Sequence, residues 1–201
     1  MLLKQLDGGV FMEKIISEIK RVLDEKDELR EKALKITKEI IRLCGDCVRA
    51  LHRGDSDMAA EKLDRAGELV DELGMMLKGH PDLYYSGYVG SAHQEYVEAL
   101  LFYYYVDGRE FPLPCDIGVP ESHYLLGLGD LVGELRRYFL EVLVKGDLKK
   151  AEEICRSIRR LYDELSILEY PKGLVNIRHK QDNARYILER TLEDLARAKR
   201  P

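Results

Sequence analysis

Apolar residues recur at helical spacing along nearly the whole chain, and this pattern limits the fold more than any other feature. They fall three and four residues apart through most of the 201 residues, and no stretch shows the sustained alternation of a β-strand. Between about residues 10 and 53 the pattern continues without a proline. The sequence therefore predicts an all-α protein whose first element is one very long helix, or two nearly continuous ones.

Short stretches rich in glycine and proline divide the rest of the chain. Gly54 is a helix stop, and Asp55 or Ser56 is the expected N-cap of the next helix. The further predicted helices cover about 57–78, 90–106, 121–145, 147–168 and 174–197. We therefore expect a single domain over residues 1–201, a bundle of about six to seven mostly antiparallel helices.

Composition limits the possible partners and the location of the chain. A net charge of −5 argues against a protein that coats nucleic acid over its whole surface, but 32 Lys and Arg leave room for a basic patch. The sequence contains neither an apolar run of about 18 residues nor the apolar core of a signal peptide. We expect a soluble, cytoplasmic protein that makes no contact with a membrane.

Several common site motifs are absent or incomplete. The stretch "CGDC", with Cys44 and Cys47, lies late in a long helix and lacks further zinc ligands, so we interpret it as two small helix residues. No histidine follows a glutamate by three residues, which excludes a ferritin-like dimetal bundle. Phosphate loops of the GxxxxGK type and GxSxG elbows are also missing.

One pair of acids stands out at the start of an almost wholly apolar run. Glu95 and Glu98 in "AHQEYVEALLFYYYV" are three residues apart, so a helix places both carboxylates on one face. Two such oxygen ligands suit a magnesium-type ion, which keeps several waters. Spacing alone equally allows both side chains to face solvent near a helix start, where the helix dipole favours acids.

Two other acidic groups allow a structural interpretation. Asp130 and Glu134 continue into a ladder with Arg137 and Glu141, which is typical of a solvated or helix-contacting face. Asp163 lies on a polar face with arginines, an arrangement that fits either a metal-assisted phosphodiester site or ordinary salt bridges. The arginines on that face are Arg156, Arg159 and Arg160.

Five separate stretches resemble the translin family in order and spacing, and they lie within about residues 10 to 197. They are "QEYVEA" at 94–99, "YLLGLGDLVGEL" at 124–135, "GD" at 146–147, "IRRLYDEL" at 158–165 and "GLVNIRHKQDNARYILE" at 173–189. The chain is more similar to the branch of translin-associated factor X than to translin itself.

This resemblance implies an all-α fold that assembles into a hollow shell, commonly an octamer, with RNA inside. In the factor X branch, the two glutamates of the first motif and an aspartate in the L-Y-D step look like a metal-dependent ribonuclease centre. Those positions match Glu95, Glu98 and Asp163. The resemblance thus implies an endoribonuclease that uses Mg²⁺ or Mn²⁺ and cleaves single-stranded RNA, or one strand of a short duplex.

The predicted phosphate contacts are Arg159 and Arg160, beside Asp163, and then Arg178 and Lys180 in the last helix. We expect the chain to assemble with itself as a homo-oligomer. Two alternatives stay open at this point. One is a non-catalytic scaffold that binds RNA or single-stranded DNA, as translin does, and the other is a bundle that only mediates protein assembly.

Overall fold

The computed structural model describes the backbone of residues 8–200 and the side chains of residues 11–200. Within that range the chain forms seven α-helices and one 3-10 turn over Pro114–Ile117, so the predicted helical bundle is confirmed. The helices are α1 (Gly8–Arg53), α2 (Ser56–Met76), α3 (Pro81–Tyr84), α4 (Gly87–Asp107), α5 (Glu121–Val144), α6 (Leu148–Ser166) and α7 (Arg178–Ala198). None of the helices in the described part combines the length and apolar character needed to cross a membrane.

The first helix is continuous, as one of the two predicted arrangements required. Its 46 residues correspond to about 69 Å at the usual rise per residue. It ends at Arg53, before Gly54, whose φ of 78° is left-handed. The Asp55 side chain then caps α2 by accepting a hydrogen bond from the Met58 amide at 3.1 Å. The sharp turn folds α2 back along α1.

The core lies between the C-terminal half of α1 and the other long helices. α1 packs against α2 and α4, and α5 packs against α4, α6 and α7. The largest side chains with no access to solvent include Phe102 on α4, Phe139 on α5 and Ile154 on α6. The central position of α5 matters for the site, because one helix there contacts three others.

Candidate functional site

Glu95 and Glu98 lie on the same side of α4, as their spacing predicted. The neighbouring Tyr96 and Val97 are buried and anchor the helix in the core, while Glu98 is half-buried and Glu95 keeps an exposed outer face. Among the described residues, no group donates a hydrogen bond to either carboxylate. Among these residues, the two carboxyl groups therefore have no direct hydrogen-bond or ion-pair partner.

A glycine lets α5 approach this part of α4 closely. A Cβ atom on Gly127 would lie 2.7 Å from the carbonyl oxygen of Gln94 and 2.7 Å from Cβ of Val97. No side chain fits in that space, so the two helix backbones are in near contact beside the glutamates. Residues one and two turns further along the same face of α5 then lie next to Glu95 and Glu98.

Those next residues on α5 are Asp130 and Glu134. Their negative charges act on both glutamates of α4 and raise the pKa values of these carboxyl groups. Both side chains are partly buried. The structure thus joins two acidic pairs from different helices into one cluster of four carboxylates, Glu95, Glu98, Asp130 and Glu134, hereafter the carboxylate cluster.

Of the two glutamates on α4, Glu98 has the more strongly raised pKa. Burial is the largest cause, and the charges of Asp130, Glu95 and Glu134 add to it, so the pKa of Glu98 rises to about 8. The pKa of Glu95 is also raised, first by burial and then by Asp130. Lys180 on α7 opposes both shifts. Strong perturbation of this kind, by burial together with like charges, is typical of functional sites.

Two basic side chains contact the carboxylate cluster from its edges. The Lys180 ammonium forms an ion pair with Asp130. The buried ring of His52, at the end of α1, has Nε2 2.7 Å from a Glu134 oxygen and Nδ1 3.0 Å from Glu141. Residues from four helices therefore converge on this region. His52 lies more than 80 residues from either acid it contacts, and no pattern in the sequence predicts it.

The two cysteines of "CGDC" lie behind the carboxylate cluster. Cys44 and Cys47 are buried free thiols in the core face of α1, as the sequence analysis predicted for small helix residues. Burial raises the pKa of Cys44 well above its usual value, and Cys47, Glu95 and Glu98 raise it further. A neutral, inert thiol is the expected state of such a group.

The Translin family model matches residues 24–195. An uncharacterized protein of Methanocaldococcus jannaschii is 35% identical over 175 residues, which cover 86% of this chain and 78% of the relative. Translin-associated protein X of Pongo abelii is 24% identical, with 83% of this chain and 74% of the relative covered.

Solved structures show the same similarity in three dimensions. AfC3PO in complex with duplex RNA superposes with a TM-score of 0.84 and 32% identity, over 92% of this chain and 96% of that one. Apo-NeC3PO gives a TM-score of 0.82 over 99% of each chain at 24% identity, which supports the fold.

The chain belongs to the translin family. In this translin-family protein, the motif "QEYVEA" is the part of α4 that meets the motif "YLLGLGDLVGEL" of α5. The second motif supplies the close contact at Gly127 and, in addition, both Asp130 and Glu134. The sequence analysis assigned those two acids to a structural face. Their contacts with Lys180 and His52 agree with that, but their nearness to Glu98 makes them candidate site residues as well.

The structure does not bring Asp163 to the carboxylate cluster. The apolar stripe of α6, which includes Ile158 and Leu165, packs into the core and leaves Asp163 exposed on another face. Across the described chain, no three His, Cys, Asp or Glu side chains are placed to hold a metal ion. The predicted set of Glu95, Glu98 and Asp163 is therefore not arranged as a metal site within one subunit, and the catalytic role of Asp163 stays a prediction.

The four basic residues predicted to contact phosphate lie in three different places. Arg159 and Arg160 are exposed on α6 and have no ion-pair partner within residues 11–200. Arg178 is exposed at the start of α7, in a cleft of about 610 Å³ that also contains Tyr162. Only Lys180 reaches the carboxylate cluster, where it pairs with an acid. The phosphate contacts themselves stay predictions.

Proposed function

We propose that this protein is a metal-dependent endoribonuclease that acts on single-stranded RNA, or on one strand of a short duplex, at the carboxylate cluster inside a homo-oligomeric shell. The observation that carries the proposal is the meeting of two acidic pairs across the α4–α5 contact at Gly127. Three partly buried carboxylates beside the more exposed Glu95 are unfavourable unless a proton or a cation compensates them. A compensating cation is also what hydrolysis of a phosphodiester uses.

The RNA partner is supported by the similarity to a protein that holds RNA. AfC3PO, which is 32% identical over 92% of this chain, has been solved in complex with duplex RNA. Exposed arginines of this chain, such as Arg159 and Arg160, can contribute phosphate contacts to such a partner. We extend RNA binding to this protein on that basis, and single-stranded DNA is a further candidate ligand.

The donor atoms of the carboxylate cluster fit Mg²⁺ or Mn²⁺ in chemical type. Both ions prefer oxygen ligands, and Glu95, Glu98, Asp130 and Glu134 offer only carboxylate oxygens. In the structure, however, Asp130 pairs with Lys180 and Glu134 contacts His52, so the four groups do not converge on one point. A divalent ion held there supplies Lewis acidity at a phosphate. Ion binding requires the two α5 acids to exchange their present partners.

The residues of this chain have separate tasks in this proposal. Glu95 and Glu98 extend from a helix that is fixed in the core, so their backbone positions are rigid. Asp130 and Glu134 are held opposite them by the close contact at Gly127. His52 orients Glu134 from the end of α1. Rigid placement on helices is what a preorganised site requires.

One observation favours a second candidate function, the non-catalytic RNA-binding scaffold. Asp130 and Glu134 already have partners in Lys180 and His52, so part of the carboxylate cluster is compensated without a metal. In a scaffold these contacts would serve only to hold α1, α5 and α7 together. The two functions differ in one measurable property, which is hydrolysis of the bound RNA.

The test is cleavage of a 5′-labelled single-stranded RNA by the purified protein with MnCl₂, with MgCl₂ and with EDTA. We expect the wild type to cleave only with the divalent ion. We expect Glu98→Gln, which cannot become a carboxylate ligand but keeps the shape of the side chain, to lose at least about 100-fold in rate. RNA binding, measured by filter retention, should be nearly unchanged.

Three results would contradict the proposed endoribonuclease activity. Cleavage that persists in EDTA, or that is equal in Glu98→Gln, shows hydrolysis elsewhere or by a contaminant. RNA binding without cleavage by the wild type establishes the scaffold instead. The control variant is Glu164→Gln, which changes an exposed glutamate of α6 and should leave cleavage unaltered.

A further inference from the structure

Lys180 lies in the carboxylate cluster where a cation is needed. Its ammonium group pairs with Asp130, and its positive charge also acts on Glu95 and Glu98, lowering the pKa values that burial raises. The side chain is only 19% exposed. The structure thus places one positive charge beside both glutamates of α4.

The position of Lys180 is fixed by packing as well as by charge. A Cβ atom on Gly129 would lie 2.8 Å from Cβ of Lys180, so the stem of the lysine runs directly over the backbone of α5. Gly129 immediately precedes Asp130. The motif "GLGD" thus provides both the space for the lysine stem and the acid that its ammonium reaches.

We infer that Lys180 is an internal counter-ion that competes with the divalent cation for Asp130, so that metal binding releases the lysine from this carboxylate. The inference rests on the proposed function, because it concerns the ion of the same site. A carboxylate that turns an oxygen to a divalent ion has a weaker ion pair with an ammonium, and two cations in one small cluster repel each other. Metal binding and the Lys180–Asp130 pair therefore oppose each other.

This role differs from the direct phosphate contact that the sequence analysis predicted for Lys180. In the metal-free protein the lysine compensates the carboxylate cluster and joins α7 to α5. Once released it remains beside the site, where its ammonium is available to an RNA phosphate. Lys180 then has two successive roles, first as the partner of Asp130 and later as a contact for an RNA phosphate.

The experiment is a titration of the metal-free protein with MnCl₂ alone, by calorimetry, in the wild type and in Lys180→Met. Removal of the competing charge should tighten Mn²⁺ binding by about tenfold, the usual size of coupling between two ligands. It should also lower the melting temperature in EDTA, because Asp130 loses its partner. Added Mn²⁺ should then raise that temperature more in the variant than in the wild type.

Arg136→Met is the matched control. Arg136 forms an ion pair with Asp194, which joins the same two helices away from the carboxylate cluster. Its loss should lower the melting temperature in EDTA without changing the affinity for Mn²⁺. If Lys180→Met does not fold, Lys180→Gln is measured in the same way, since it removes the charge and keeps much of the stem.

Unchanged or weaker Mn²⁺ binding in the Lys180 variant overturns the inference, while metal-dependent cleavage by the wild type would still support the enzyme. Tighter Mn²⁺ binding in the variant, together with no RNA cleavage by the wild type, supports the counter-ion role of Lys180 and contradicts the proposed ribonuclease activity. If neither protein binds Mn²⁺, both proposals are wrong.

Discussion

At the scale of single residues, the candidate site depends on a glycine that has no chemistry of its own. Gly127 lies where α4 and α5 come into backbone contact, and it sets the distance between the two acidic pairs. Gly133, on the same helix, has open space around its missing Cβ, with no atom within 4 Å. The two glycines therefore allow a matched comparison.

Gly127→Ala should separate α5 from α4. The new methyl group would meet a carbonyl oxygen and a Cβ atom at 2.7 Å, and neither can move without its backbone. We expect a loss of about 1–3 kcal/mol in the free energy of unfolding, measured with urea. Because Asp130 moves away from Glu98, metal-dependent RNA cleavage should also fall.

Gly133→Ala should instead stabilise the protein by about 0.5–1 kcal/mol, because alanine is the better helix former and meets no neighbour. Equal effects of the two substitutions would show that the close contact at Gly127 is not what positions the acids.

The sequence identified half of the carboxylate cluster, for a physical reason. Glu95 and Glu98 stand beside an apolar run, and that local contrast is visible in one helix. Asp130 and Glu134 belong to a charge ladder with Arg137 and resemble a solvated face. Only the packing of α5 against α4 and α7 shows that these charges are enclosed. Asp163 is the opposite case. Its polar face with arginines suggested a site, but such a face can simply remain at the surface, as this side chain does.

At the scale of elements, α4 and α5 are also joined by a pair of histidines. His93 has no exposed surface, and its Nδ1 lies 3.0 Å from Nδ1 of His123. The ring of Tyr84, from α3, packs against His93 with ring centroids 5.6 Å apart. Nε2 of His93 has no partner among the described residues. This contact tolerates a neutral His93 and disfavours a charged one.

His93 should therefore disfavour the folded state in mild acid. Burial first, and the charge of His123 second, lower the pKa of His93 to about 4. The unfolded chain binds this proton near pH 6.5, so between about pH 6.5 and 4 the unfolded state binds more protons than the folded state. The contribution of His93 to the free energy of unfolding should drop by about 3 kcal/mol as pH falls through this window. It is measured with urea as the difference between the wild type and His93→Asn, because the raised pKa of Glu98 changes the total stability in the opposite direction.

His93→Asn should lose this contribution, even if its stability at pH 7 is lower. His179→Asn, which changes an exposed histidine of α7, should keep the wild-type profile. If the slope is the same in His93→Asn as in the wild type, His93 is not the group responsible.

The helices themselves follow closely from sequence, because glycine, proline and capping residues mark their ends locally. There are two exceptions. No helix was predicted at the short α3, and the last helix was predicted from about residue 174 but begins at Arg178. The intervening Val175 and Ile177 are buried without being helical, and the Leu174 amide closes a turn by donating to Pro171 at 2.8 Å. Apolar spacing cannot separate a helix from a loop that packs into the core.

At the scale of the whole molecule, the first helix extends past the core with an apolar face. Met12, Ile16, Ile19 and Leu23 follow steps of four and three residues, and each is between 49% and 58% exposed. Such a seam is typical of helix pairing between subunits. It supports the proposed homo-oligomeric shell, for which an octamer is the expected size.

Ile16→Lys should weaken the assembly, because it places a charge in the middle of the seam. Light scattering after gel filtration should show smaller particles than the wild type at equal concentration. Met75→Lys alters an isolated exposed residue of α2 and should leave the mass unchanged. A wild-type mass for Ile16→Lys would assign assembly to another surface.

The central claim is that hydrolysis takes place at the cluster of four carboxylates on α4 and α5. The most direct measurement compares the rates of manganese-dependent RNA cleavage by Asp130→Asn and Asp163→Asn, two identical changes on neighbouring helices. We predict that Asp130→Asn abolishes cleavage and that Asp163→Asn retains it. Loss of cleavage in Asp163→Asn, with wild-type rates in Asp130→Asn, would contradict the site assigned from the structure.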